Sequence, residues 1–333
     1  MVFYVFVQTL FYFCIEKKFL YNGFLLSKLN YSMTESYKSE IYRSIESRHI
    51  LHNLYRTHLI AANVPLMEQM IETRFGDTHV VFYGNPRGVP ILFFAGENVL
   101  TPLAIRPFTQ KIDLEKLLLI APDLPGHIGF STEKKLSFQK GEYGEWACEV
   151  MDALDLHTAP VMGYSFGSSL ALQLCQQSLL RVERLLLVQP AGIVHTPASK
   201  MNRLFSPTAK KPKEPTVDEI SEALQPVLHF EHEELLEAFI MIVTHSLVEK
   251  TGFDKLSRKD IHKFKSPVFI VGEKSDWLFP GDEIIKYACE IFPRVDGTRL
   301  LSLGSHYGLF NGEDDDLKEC FEAMTNFMLR TII

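Results

Sequence analysis

The stretch GYSFG at residues 163–167 decides the fold, because it joins a predicted strand at 159–162 to a predicted helix at 168–178. A strand that turns this abruptly into a helix has no room for side chains two positions before and after its apex, and Gly163 and Gly167 occupy those positions. The apex residue, Ser165, would then stand out from the edge of the sheet. The other interpretation is an ordinary turn with a hydroxyl at its tip, and residues further along the chain bear on that choice.

Strands and helices alternate on both sides of this turn. Strands are predicted at 116–121, 182–188, 268–271 and 298–303, and helices at 143–156, 282–292 and 315–330. Apolar runs such as LLLIA at 117–121 and LLLV at 185–188 are continuous rather than alternating, which is typical of strands covered on both faces. The sequence therefore predicts an α/β fold with a mostly parallel sheet flanked by helices.

Five segments are expected along the chain. They are an apolar tail at 1–33, an N-terminal helix within 34–65, a first core part at 66–194, a helical cap at 195–265 and a second core part at 266–333. Apolar residues at helical spacing place the N-terminal helix at 35–60. Two β-rich runs, 79–83 and 89–94, are separated by the turn-forming stretch GNPRG, which predicts a hairpin.

The cap is inferred because strand and helix stop alternating for about 70 residues, far longer than an ordinary connection. Helices are predicted there at 217–228 and 233–249. An insertion this late in an α/β sheet is well placed to cover the carboxyl ends of the strands.

Composition excludes several classes of protein. The 333 residues are 46% hydrophobic and 23% charged, the usual mixture of a globular chain. Lys and Arg number 34 against 41 Asp and Glu, and the net charge is −7. We expect no nucleic-acid partner, because phosphate binding needs a basic surface. Five cysteines without a C-x-x-C pair argue against a disulfide framework and favour a reducing, cytoplasmic compartment.

The N-terminal stretch at 2–15 is almost wholly apolar and aromatic. It is shorter than the roughly 20 residues of a membrane-spanning helix and lacks the cationic segment that precedes a secretory apolar stretch. We interpret it as a poorly ordered tail, or as an upstream extension of a chain whose natural start is Met33. The alternative is a membrane-surface anchor, and membrane contact is expected only through residues 2–26.

A serine hydroxyl is a weak nucleophile at neutral pH and needs a base and a group that orients the base. His306 follows the predicted strand at 298–303 and is the only histidine after residue 262. Asp276 follows the predicted strand at 268–271. Ser165, Asp276 and His306 each lie at the carboxyl end of a strand, so together they are interpreted as a catalytic triad.

With this chain order of nucleophile, acid and histidine, the sequence resembles the α/β-hydrolase fold family over residues 70–333. Two further stretches are similar to that family: FFAGEN at 93–98 and DLPGHIGFS at 123–131. The resemblance implies that the backbone N–H groups of Phe166 and Glu97 form an oxyanion hole. Ser rather than Asp at position 165 speaks against the haloalkane dehalogenase and epoxide hydrolase branches.

This chain departs from the family pattern at three places. Ala95 stands where many members have His, Ile128 is an extra residue in the second stretch, and Ser275 is inserted before the acid. No departure removes a catalytic atom, but these loops line the pocket and affect which substrate subclass is accepted.

The expected activity is that of a serine hydrolase cleaving a carboxylic ester or a related small hydrophobic acyl substrate through an acyl-enzyme. Asn98, Tyr164, Trp277 and Phe310 are predicted to form the substrate pocket. No metal or organic cofactor is expected, and the group His229, Glu231 and His232 is interpreted as a polar face near a helix boundary. The same triad could instead cleave a C–C bond, a thioester or a peptide, or transfer the acyl group. An inactive binding or sensor protein on this fold is the alternative of another class.

Overall fold

Eight strands form a single sheet in the computed structural model, which describes residues 37–206, 215–228, 233–247, 252–310 and 314–330. The strands are β1 (Leu66–Thr73), β2 (Gly76–Gly84), β3 (Val89–Phe94), β4 (Leu117–Pro122), β5 (Ala159–Tyr164), β6 (Val182–Val188), β7 (Val268–Glu273) and β8 (Val295–Leu301). Their spatial order is β1-β2-β4-β3-β5-β6-β7-β8. β2 is antiparallel to both β1 and β4, and all other pairs are parallel. The predicted mostly parallel α/β sheet is confirmed.

The helices lie mainly between consecutive strands. They are α1 (Ile45–Ala61), α2 (Thr101–Ala104), α3 (Arg106–Lys111), α4 (Glu142–Ala153), α5 (Phe166–Gln177), α6 (Ala198–Leu204), α7 (Val217–Leu224), α8 (Glu233–His245), α9 (Arg258–Ile261), α10 (Gly281–Ile291) and α11 (Asp315–Leu329). In the part of the chain that the structure describes, no helix combines the length and apolar character needed to cross a bilayer. The predicted tail at 1–33 lies outside the described residues.

The predicted hairpin between 79–83 and 89–94 is wrong. β4 lies between β2 and β3, so these two strands are not neighbours. The intervening loop is bonded to the start of β4 instead, since the Asn85 N–H points at the carbonyls of Leu114 and Leu117 at 3.0 and 3.1 Å. The turn-forming residues therefore predicted correctly that the chain reverses direction here, but not that β2 pairs with β3.

The N-terminal helix begins ten residues later than predicted. The Ser44 hydroxyl caps α1 by accepting a hydrogen bond from the Ser47 N–H. Before this N-cap the chain contacts the helical cap at 195–265: Tyr42 forms an isolated bridge with Ser246, and the Leu247 N–H donates to the Ile41 carbonyl at 2.6 Å. β1, which the sequence analysis did not predict, follows α1 and forms one edge of the sheet.

Between β6 and β7 the chain inserts helices α6 to α9. The predicted cap helices at 217–228 and 233–249 correspond to α7 and α8, which end earlier, at Leu224 and His245. A capping box between Thr216 and Glu219 begins α7. The buried faces of these helices, including Leu224 and Phe239, face the edge of the sheet at which Ser165 lies.

Candidate active site

Ser165 lies at the apex of the sharp turn from β5 into α5. Its backbone has φ 54° and ψ −121°, a left-handed conformation that non-glycine residues rarely adopt. The flanking glycines allow this turn: a Cβ on Gly163 would lie 2.4 Å from the Ser168 Cα, and one on Gly167 would lie 2.0 Å from the Phe94 carbonyl oxygen. The turn therefore holds the Ser165 hydroxyl out from the end of β5.

The three predicted triad residues are in contact. His306 Nε2 lies 2.9 Å from Ser165 Oγ, and His306 Nδ1 lies 2.6 Å from Asp276 Oδ2. Because a carboxylate only accepts hydrogen bonds, Nδ1 carries the proton and Nε2 is free to accept from the serine hydroxyl. Residues 141 and 30 positions apart in the sequence are thus brought into one hydrogen-bonded chain.

Asp276 is buried, and its second oxygen is fixed by backbone donors. Oδ1 accepts hydrogen bonds from the N–H groups of Leu278 and Phe279 at 2.9 and 3.0 Å. These contacts fix the orientation of the carboxylate, with Oδ2 toward the imidazole. The loop after β7 therefore presents an acceptor oxygen to His306.

Aromatic rings hold the imidazole of His306 in place. The Tyr164 ring stacks on it with a centroid distance of 6.0 Å and an interplanar angle of 8°. Phe279 and Tyr307 approach the same ring at centroid distances of 5.4 and 5.0 Å. Burial raises the pKa of the Tyr164 hydroxyl well above its usual range, so this ring stays neutral.

Glu273, the last residue of β7, is a site residue to which the sequence analysis gave no role. Its carboxylate is fully buried and accepts three backbone hydrogen bonds, from Ser275 at 2.9 Å, Leu303 at 2.7 Å and Gly304 at 3.2 Å. Ser275 precedes Asp276, and the other two donors precede His306. One carboxylate therefore joins the two loops that carry the acid and the base. A glutamate ending an otherwise apolar strand was the available signal.

The loop after β3 runs beside the nucleophile. A Cβ on Gly96 would lie 3.6 Å from the Ser165 Cβ and 3.9 Å from its Oγ, so this backbone passes close to the hydroxyl with no side chain between. Asn98 in the same loop has φ 54°. Phe166 begins α5, where backbone N–H groups have no helical acceptor. The geometry places both predicted oxyanion segments next to Ser165, and the role of their N–H groups remains a prediction.

A small cavity of about 30 Å³ adjoins Ser165 and His306. The cap contributes seven apolar lining residues: Met201, Leu204, Phe205, Leu224, Val227, Phe239 and Phe253. The core contributes Phe166, Leu278 and Phe279. The site is thus enclosed by apolar side chains on both sides.

Four residues predicted to form the substrate pocket do not line this cavity. Tyr164 lies behind the imidazole, and Trp277 packs against the cap cations Lys200 and Arg203. Phe310 contacts Tyr307 at a ring distance of 6.0 Å, and Asn98 is buried without reaching the lining. Adjacency in sequence to a triad residue did not predict which side chains face the cavity, because neighbours in sequence point in different directions.

Other titratable groups were considered as ligands or bases. No group of three or more metal-ligating side chains is found among the residues that the structure describes. The predicted polar face at 229–232 lies outside the described residues. His127, an alternative base by residue type, has its Nε2 3.0 Å from the Tyr143 hydroxyl.

Comparisons with known proteins agree with this fold. A family model described as alpha/beta hydrolase fold matches residues 107–214. The carboxylesterase YbfK of Bacillus subtilis is 27% identical over 121 residues, which are 36% of this chain and 40% of the relative. The sequence match therefore spans less than half of that relative's length.

Solved structures extend the likeness over most of the chain. The crystal structure of the same Bacillus subtilis carboxylesterase has a TM-score of 0.66 at 17% identity and covers 86% of this chain and 98% of its own. A 2-hydroxy-6-oxo-6-phenylhexa-2,4-dienoate hydrolase from a Rhodococcus strain has a TM-score of 0.61 at 16% identity and covers 80% and 98%. The chain therefore has the α/β-hydrolase fold.

Proposed function

We propose that the chain is a serine hydrolase that cleaves a carboxylic ester with a small hydrophobic acyl group through an acyl-enzyme. The observation that carries this proposal is the hydrogen-bonded chain from Ser165 through His306 to Asp276, which ends in an apolar cavity. The carboxylesterase match supports the bond type.

In the proposed reaction, His306 Nε2 takes the proton of the Ser165 hydroxyl as Oγ attacks the ester carbonyl. Asp276 keeps the imidazole in the required tautomer and stabilises the imidazolium that forms. The imidazolium then gives its proton to the departing alcohol, and the acyl group stays on Ser165. In the second half of the reaction, His306 deprotonates a water molecule as it attacks the acyl carbon. The bond to Ser165 Oγ then breaks, the imidazolium returns the proton to Oγ, and the acid leaves.

The negative charge on the carbonyl oxygen needs donors during both additions. The N–H groups of Phe166 and Glu97 are proposed for this task, and the short approach of the Gly96 backbone to Ser165 supports the second. Each such donor contributes a factor of about 10² to 10³ in rate.

The charge of the cavity favours a neutral ester over a dienoate. The name of the Rhodococcus relative's substrate specifies a carboxylate, which must be desolvated on binding. Within the described part of the chain, the lining contains no Lys or Arg to pair with such a group, and its one acidic residue is Glu97. Burying an unpaired charge is costly, so C–C cleavage of an anionic dienoate is the less favoured use of this triad.

The direct experiment is labelling with a fluorophosphonate probe, followed by peptide mass mapping of the adduct. We expect one adduct, on Ser165, and none in Ser165→Ala. Ser305→Ala is the matched control, since Ser305 is also buried and lies next to His306; it should be labelled like the wild type. A folded protein without an adduct on Ser165 would favour the binding-protein alternative.

A series of p-nitrophenyl esters of rising acyl length tests the substrate class. The value of kcat/KM should rise from acetate to a medium-chain acyl group, because each added methylene buries more apolar surface. The gain in transition-state binding free energy is at most about 0.8 kcal/mol per methylene. Activity that is flat across the series, or confined to acetate, would contradict a hydrophobic acyl site.

A further inference from the structure

A second, larger cavity lies on the other side of an aromatic wall from the catalytic cavity. It is a groove of about 450 Å³ beside helix α5, within the size range of about 300 to 1,000 Å³ of small-molecule sites. Leu172, Gln173 and Gln176 of α5 form one side. Residues 252–256, just after the cap helix α8, form the other side. The catalytic cavity is smaller, at about 30 Å³.

Phe253 is the one described residue that lines both cavities. Phe138 lines the groove alone, and Phe166 lines the catalytic cavity alone. The three rings contact one another, with centroid distances of 5.7 Å between Phe138 and Phe253 and 5.9 Å from Phe166 to each of the other two. The wall between the cavities is therefore one side chain thick at Phe253.

Hydrogen bonds fix the backbone of Phe253, whereas only packing contacts hold its ring. Its N–H donates to the Thr196 carbonyl at 2.8 Å, and its carbonyl accepts from the Thr196 N–H at 2.9 Å. The Phe253 ring is held by edge and tilted contacts rather than by a polar bond. Displacement of the ring alone would leave this pair of hydrogen bonds intact.

The groove has a different chemical character from the catalytic cavity. Its rim carries Gln139, Gln176, Asp254 and Lys255, all of which are exposed. These groups offer both donors and acceptors to a polyhydroxylated molecule. The cap side of the catalytic cavity is apolar and suits a hydrocarbon acyl group instead.

We propose that the groove binds the alcohol portion of the ester, that this portion is hydroxylated and polyol-like, and that Phe253 is the gate through which it reaches Ser165. The proposal rests on the proposed ester hydrolysis and adds the class of alcohol. The acyl group lies under the cap, the carbonyl lies at Ser165, and the alcohol extends past Phe253 into the groove.

The test compares ethyl butyrate with a butyrate monoester of glucose, which share the acyl group and differ in the alcohol. Phe253→Ala should raise the ratio of kcat/KM for the glucose ester over the ethyl ester by about tenfold, because the wall is removed. Phe253→Leu should give a smaller rise in this ratio. It is included in case the alanine variant does not fold, and circular dichroism checks the folding of both variants.

Two further variants separate a joined groove from a merely larger cavity. Phe205→Ala enlarges the catalytic cavity on its cap side, away from the groove, and should leave the ratio unchanged. Gln176→Trp fills the groove without touching the catalytic cavity and should cancel the rise when combined with Phe253→Ala.

An unchanged ratio in both folded Phe253 variants would overturn the gate. A gain for the methyl ester of a bulky acid in place of the glucose ester would overturn the assignment of the groove to the alcohol. Absence of all ester activity, together with no fluorophosphonate adduct on Ser165, would overturn the proposed function and this inference together, and is distinguishable from the other results.

Discussion

Two buried histidines in this molecule, His306 and His79, each have an aspartate beside Nδ1 but differ in the group beside Nε2. His306 Nδ1 faces Asp276 at 2.6 Å, and His79 Nδ1 faces Asp123 at 2.9 Å. The other nitrogen of His306 faces the Ser165 hydroxyl at 2.9 Å, whereas that of His79 faces the Glu68 carboxylate at 2.8 Å. A hydroxyl can donate to a neutral ring, but a carboxylate cannot, so only His79 needs a proton on both nitrogens.

The pKa of His79 reflects these surroundings. Burial alone would lower the pKa of the ring, but hydrogen bonds and charges from Asp123 and Glu68 outweigh burial and raise it. His79 therefore forms an ion network that connects strands β1 and β2 to the loop after β4. Tyr55 of α1 joins it by donating to Asp123 at 2.9 Å. The group beside Nε2 therefore distinguishes the two Asp–His pairs: a carboxylate suits a structural ion network, and a hydroxyl suits a nucleophile and its base.

The largest difference between the two histidines should be in turnover. Ser165→Ala and His306→Ala should each lower kcat by roughly 10⁴ to 10⁶, and the double variant should be scarcely slower than either single one. Steady-state kinetics on p-nitrophenyl butyrate measures this. His79→Gln is the matched control, and its folded fraction should turn over at a rate near that of the wild type; additive losses in the double variant would contradict a shared relay.

The aspartate of the structural pair should matter most for stability. Asp123 is fully buried and also accepts from the Phe130 N–H at 2.9 Å. Asp123→Asn leaves a buried cation short of one carboxylate and should cost about 3–5 kcal/mol in the free energy of unfolding. Urea unfolding followed by fluorescence measures the cost, with Asp77→Asn, exposed on β2, as control. A loss below about 1 kcal/mol would show that the network contributes little.

Glu273→Gln should affect turnover more than substrate binding. The amide replaces one acceptor with a donor that faces backbone N–H groups, so the loops carrying Asp276 and His306 lose their common anchor. A displacement of about 1 Å costs about 10² in rate, and we expect a fall of tenfold to a hundredfold in kcat with KM nearly constant. Glu290→Gln, exposed on α10, is the control. A change in KM alone would rule out the positioning role.

The smallest effect is a pH dependence of stability. Because the folded-state pKa of His79 is raised, its stabilising contribution is fully present below the unfolded pKa of about 6.5 and is lost as the pH rises through the folded value. The difference in unfolding free energy between wild type and His79→Gln should therefore shrink toward alkaline pH. Urea titrations across pH 5 to 10 measure it, with the exposed His262→Gln as the control variant. A difference that grows with pH would reverse the assigned sign.

Sequence analysis predicted the residues that come directly after the strands. Ser165, Asp276 and His306 each follow an apolar strand, and parallel strands bring their carboxyl ends to one edge of the sheet. This physical rule predicts that the three residues lie together, and the kinetic test above addresses their roles.

Features that depend on tertiary placement were not predictable. The hairpin was wrong because β4 inserts between β2 and β3, a long-range pairing that turn residues do not encode. Asn98, Tyr164, Trp277 and Phe310 were assigned to the pocket by nearness in sequence, yet the cavity is lined largely by cap residues whose positions depend on how α6 to α8 pack. Glu273 was missed because its three acceptor contacts come from two separate loops.

The rate of fluorophosphonate labelling of Ser165 in His306→Gln, set against that in His79→Gln, tests the central distinction most directly. If His306 is the base, labelling of Ser165 should slow by at least about 10³ in His306→Gln and remain at the wild-type rate in folded His79→Gln. Equal labelling rates in wild type and His306→Gln, with the adduct mapped to Ser165 in both, would contradict the assignment of His306 as the catalytic base.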